Sequence, residues 1–155
     1  MQPIKKLVED AMNHESTGGV HWSFWVISAV ALLWNIGGGI NYLMQTNLEF
    51  VATLPETHRA IIEGRPVWAT GGFAIGVFGG AVGCLLLLFR KSTAFYVFIA
   101  SLLGVIVTMI HTINVANSKI DFSPGEIIVM ILLPIIVAAI LIWYTKLAMS
   151  KSWIS

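Results

Sequence analysis

The nine basic and eight acidic residues of this chain all lie outside four uncharged stretches, and that placement constrains the fold more than any other feature. The stretches are Trp22–Met44, Pro66–Phe89, Ser92–Ala116 and Ile127–Thr145. Each is close to the ~20 residues that a helix needs to cross a hydrocarbon core of roughly 30 Å. Lipid offers the backbone no hydrogen-bond partners, so each stretch is expected to be helical throughout. The runs do not alternate as the strands of a membrane barrel would. Composition agrees. Apolar residues make up 57% of the 155 positions and charged residues 11%, under half of the ~25% typical of soluble domains. A basic nucleic-acid-binding face, a long disordered region and a disulfide scaffold are thereby excluded or made improbable. The expectation is an all-α integral membrane bundle of four transmembrane helices, forming a single domain over residues 1–155.

The ends of the stretches carry matching punctuation. Ser123-Pro124-Gly125-Glu126 reads as a capping box with proline at the first helical position. Pro66 opens the second span after Gly64, and Pro134 is expected to kink the fourth. The first loop, about residues 45–65, repeats the pattern: Thr53-Leu54-Pro55-Glu56 reads as another capping box, and Gly64 ends the turn. A short amphipathic helix on the membrane surface is expected there.

Residues 1–21 are polar, with neither a signal-peptide core nor a small-residue cleavage site, so no cleaved signal is expected. Lys5, Lys6, Arg90, Lys91, Lys146 and Lys151 would share one side of the membrane, with Arg59, Arg65 and Lys119 opposite. The bias favours both termini in the cytoplasm, in a bacterial inner membrane. Trp22, Trp25, Trp143, Tyr144 and Trp153 gather at the same face, as an interfacial aromatic belt would.

Within the spans, Gly72, Gly76, Gly79, Gly80 and Gly83 fall on one helical face. Helices in lipid associate by close packing, so this face is expected to meet another helix, within the subunit or across a homo-oligomer. Asn35 lies near the middle of the first span and is expected to bond to another helix or to a ligand. His111 is the only histidine inside a span, with Asn114 nearby; it reads as a hydrogen-bonding group or as a ligand-binding one. Asn41, Tyr42 and Gln45 end the first span on the outer side, Glu63, Arg65 and Trp68 begin the second, and Glu126 begins the fourth. These groups converge on one expected polar cavity. Asn35, Asn41, Tyr42, Trp68, His111 and Asn114 are its candidate ligand-binding residues. Glu126 is read first as a cap, and Glu63 with Arg65 as a solvated pair.

No catalytic signature, phosphate loop, dinucleotide fingerprint or metal-ligand spacing is present, so neither an enzyme nor a cofactor nor a metal is expected. Cys84 reads as a packing residue. At Trp34-Asn35-x-x-Gly38-x-x-x-Tyr42, Pro66-x-Trp68-Ala69 and the run from Phe73 to Lys91, the chain resembles a family of small four-helix bacterial inner-membrane proteins sometimes labelled "sugar transporter". The resemblance is clearest over residues 30–110. It implies transport and assigns no residue a role. Two functions follow: a membrane protein that binds or passes a small polar solute as a homo-oligomer among membrane lipid, or an accessory subunit of a larger respiratory or photosynthetic complex. A carrier should face its polar groups into a cavity, and an accessory subunit should turn its glycine face outward.

Overall fold

The computed structural model describes residues 19–118 and 121–155. The polar segment through residue 18, with Lys5 and Lys6, and the loop residue Lys119 lie outside the described residues. The chain is a multi-pass membrane protein, an all-α bundle of four long apolar helices: α1 (Trp22–Met44), α4 (Val67–Leu88), α5 (Ala94–Ala116) and α6 (Pro124–Ser150). Two short helices, α2 (Leu48–Ala52) and α3 (Glu56–Glu63), occupy the first loop. They mark the distal end; Trp22, Arg90 and Ser155 mark the proximal end.

The boundaries follow local chemistry. Ser123 and Glu126 form the expected reciprocal capping box at the start of α6. A π-helical turn spans Ile128–Leu132, two residues before Pro134. It absorbs the missing donor and ring bulk of the proline, so the helix continues to Ser150. In the first loop the expected capping box is corrected. Thr53 ends α2, its hydroxyl donating to the Phe50 carbonyl, and Pro55 precedes α3 without a side-chain cap. A threonine donates as readily to an upstream carbonyl as it accepts from a downstream amide.

The helices form a row, α1 on α4, α4 on α5 and α5 on α6. The glycine face of α4 points inward and divides between two neighbours. Gly72, Gly76 and Gly79 meet α5 at Gly104, Val105 and Ser101, Gly83 lies beneath the Phe98 ring, and Gly80 lies beneath Asn35 of α1. Ser101 Oγ donates to the Gly76 carbonyl at 2.6 Å, and Thr108 Oγ1 approaches that of Ala69 at 3.2 Å. Small residues therefore allow backbone-level approach, and hydroxyls then stitch the seam.

The proximal half is filled by Phe24, Leu87, Phe98, Leu141 and Tyr144. Of the five expected belt aromatics, Trp22, Trp25 and Trp143 face outward, whereas Tyr144 is buried and stacks on Phe24 at 6.3 Å. Trp153 also turns inward, edge-on to Phe24 at 6.1 Å. Both point to the core because Tyr144 shares a helical face with Leu141 and Ala148, and because the chain turns back after Ser150. Arg90 and Ser152 adopt left-handed φ values of 59° and 54° and close Schellman turns after α4 and α6. The end of the chain then clasps the α4–α5 turn, with Ser155 N donating to Arg90 O at 2.9 Å and Arg90 Nε to Trp153 O at 2.6 Å.

Candidate functional site

The helices that close on one another proximally leave a cavity of about 610 Å³ in the distal half. Its walls come from all four long helices, and Leu54, His58, Ile61 and Ile62 of the first loop cover it. That volume lies within the ~300–1,000 Å³ usual for small-molecule sites.

The rim is polar and the body is apolar. Asn41, Gln45, His58 and Arg65 lie at the distal rim, whereas Leu33, Val77, Val105, Met109, Val129 and Met130 line the body. Thr108 and Thr112 also line it, but their hydroxyls donate to helix carbonyls at 3.0–3.3 Å. Arg65 turns inward between α3 and α4. Its Nη2 donates to Gln45 Oε1 at 2.6 Å, and its guanidinium lies 5.0 Å from the Phe73 ring centroid, within cation–π range. Burial pulls its pKa below the usual arginine value, from a starting point so high that it remains a cation. Glu63 is exposed, so the expected solvated pair is replaced by an inward-facing arginine held by an amide and an aromatic ring.

Two latches hold α3 over the cavity. His111 is buried, and its Nε2–H donates to the Ile61 carbonyl at 3.0 Å. That carbonyl belongs to the last turn of α3, where no helical partner is available. Thr57 Oγ1 donates to Glu126 Oε1 at 2.6 Å, while the other oxygen of Glu126 caps its own helix. Thr57→Val should speed amide exchange across residues 56–63 by roughly three- to tenfold, the loss of one net hydrogen bond. Native-state exchange measured by mass spectrometry checks this; unchanged exchange would mean that His111 alone holds α3.

Of the six candidate residues, the structure brings only Asn41 to the cavity wall. Asn35 is buried in the α1–α4 seam, where Nδ2 donates to Ala31 O at 2.9 Å and approaches Cys84 Sγ at 3.6 Å. Tyr42 packs edge-on against Phe73 and Phe78. Trp68 is half exposed and meets His111 edge-on at 6.3 Å, and Asn114 is exposed. Asn35 and His111 therefore serve the packing around the cavity. His58 escaped sequence reasoning. The run Gly37-Gly38-Gly39 could have loosened the helix at a substrate site; instead Gly37 and Gly38 line the wall of an unbroken α1, which the run strips of bulk at three consecutive positions. Among the described residues no group of three or more potential metal-ligating side chains occurs. Comparison with family models, curated proteins and solved structures finds no match to this chain.

Proposed function

We propose that this chain is a non-enzymatic protein of a bacterial inner membrane, with cytoplasmic termini, that binds and passes a small polar solute as a homo-oligomer. The observation that supports this reading is the distal cavity, with a polar rim that includes an inward-facing arginine. The inward glycine face supports it further, because an accessory subunit would need that face for docking and here α1 and α5 cover it. The orientation rests on the distribution of Lys and Arg, and four short helices enclose too little for a complete path within one subunit.

Gly37 lines the cavity, and a Cβ added there would meet nothing within 4 Å. Gly37→Phe should therefore fill the site while leaving the fold intact. In proteoliposome counterflow with a panel of labelled sugars, amino acids and organic acids, at least one compound should accumulate with the unaltered chain. With Gly37→Phe its accumulation should fall to the level of empty vesicles. Accumulation that survives this substitution, or no accumulation of any compound, would sink the reading.

A further inference from the structure

We infer that the molecule taken by the cavity is a single-chain amphipathic carboxylate, its head on Arg65 and its apolar chain lying between α1 and α6, admitted sideways from the bilayer. This rests on the cavity of the reading above and goes beyond its small polar solute, to an amphiphile whose only polar part is an anionic head.

Charge is the first argument. The Arg65 guanidinium offers five N–H donors, and the fold supplies Gln45 to one of them. Its Nε is enclosed without an acceptor among the described residues. No Asp or Glu lines the cavity among the described residues. A cation withdrawn from water without a counter-charge is costly, and a carboxylate is the group whose geometry matches the free edge of a guanidinium.

The second argument is what lies below the rim. The body of the cavity is apolar, and the hydroxyls of Thr108 and Thr112 are already committed to carbonyls. A hydroxyl-rich solute would leave its polar groups unpaired there, at a cost for each. An alkyl chain has none to leave.

The third is access. Leu33 and Val129 line the cavity, yet are 68% and 60% exposed. They sit on α1 and α6, which meet proximally through Phe24 and Tyr144 and flank the cavity distally, so the wall there runs into the lipid-facing surface. Depth fits as well. Arg65 lies two residues before Val67, where the apolar span of α4 begins, so a bilayer crossed by α4 would set it near the headgroups. Along α1 and its cap the lining runs from Gln45 to Leu33, about 18 Å at 1.5 Å per residue. That is close to half of a ~30 Å hydrocarbon core, the depth of one leaflet. A cavity of about 610 Å³ is in the range usual for one drug-sized ligand.

The test is equilibrium binding to the delipidated full chain in mild detergent, with radiolabelled palmitate as probe. Methyl palmitate supplies the same chain without charge, benzoate and inorganic phosphate supply charge without a chain, and octyl glucoside is a neutral amphiphile. Palmitate is expected to bind, and methyl palmitate about tenfold or more weakly, the loss of a charge-assisted hydrogen-bonded pair. Arg65→Gln should weaken palmitate about tenfold and leave the ester unchanged, while Arg59→Gln, outside the cavity, should change neither. Equal binding of acid and ester, an Arg65→Gln variant with full palmitate affinity, benzoate or phosphate binding as tightly as palmitate, or displacement of palmitate by phosphatidylglycerol would each overturn the assignment. If Arg65→Gln does not fold, the acid–ester comparison on the unaltered chain decides alone. Octyl glucoside bound without palmitate, and lost in Gly37→Phe, would overturn the anionic ligand and leave the cavity reading standing. Probe binding indifferent to Gly37→Phe would remove both.

Discussion

Replacing Gly104 with alanine is expected to lower stability by about 3 kcal/mol, the upper end of the range for overpacking a tight site. A Cβ at this position would lie 2.6 Å from the Gly72 carbonyl oxygen and 2.8 Å from the Gly76 nitrogen. Both are backbone atoms, so no rotamer change on α4 can make room, and the helices themselves must separate. Separation would also stretch the Ser101–Gly76 and Thr108–Ala69 hydrogen bonds. Thermal unfolding in mild detergent, followed by size-exclusion chromatography, should show a large fall in midpoint and loss of the monodisperse peak. Gly71→Ala is the matched control on α4. Its added methyl meets nothing within 4 Å, and loss of unfolded-state freedom should raise stability by about 0.5 kcal/mol. A Gly104→Ala protein that melts with the unaltered chain would show that α4 and α5 do not approach this closely.

The second large effect is a coupling. Gly80→Ala places a methyl where the Asn35 side-chain carbonyl lies, and should cost about 2 kcal/mol on its own. Asn35→Ala removes the obstruction along with the hydrogen bond to Ala31 O. The double variant should then be more stable than the sum of the two changes, by about 1 kcal/mol or more. Strict additivity in a double-mutant cycle would mean that Asn35 and Gly80 are not in contact. Since Asn35 serves this seam, the cycle also separates its packing role from binding in the cavity.

How far the sequence reaches is clearest from its successes and failures side by side. The expected first span, Trp22–Met44, coincides with α1 at both ends, because polar residues flank it sharply. The fourth was expected to stop at Thr145, yet α6 continues to Ser150 through Lys146. A charge marks where hydrocarbon ends, and it does not end a helix. The glycine stripe announced a helix contact without saying that two helices share it, since periodicity along one chain contains no partner. Facing is the harder problem. Asn35 and Trp34 are adjacent, yet one lies in the seam and the other on the cavity wall, a rotation of about 100° along the helix. His111 read as a hydrogen-bonding group or a ligand-binding one; its partner is the backbone carbonyl of Ile61, fifty residues upstream. A carbonyl has no signature in sequence. Arg65 was overshadowed by its neighbour Glu63, and only the approach of Gln45 across the fold reveals its inward turn.

The row order of the helices has a consequence for biogenesis. α1, α4 and α5 leave the ribosome before α6, and the closest seam joins α4 to α5 across the short turn at Phe89–Thr93. Contacts this local form early, and vectorial synthesis favours the amino-terminal pieces. A nascent chain ending near residue 116 therefore already owns its tightest interface. The compartment between α1 and α6 exists only once the last helix has docked, so it is the final part of the molecule to be made and the first to be lost from a prematurely ended chain.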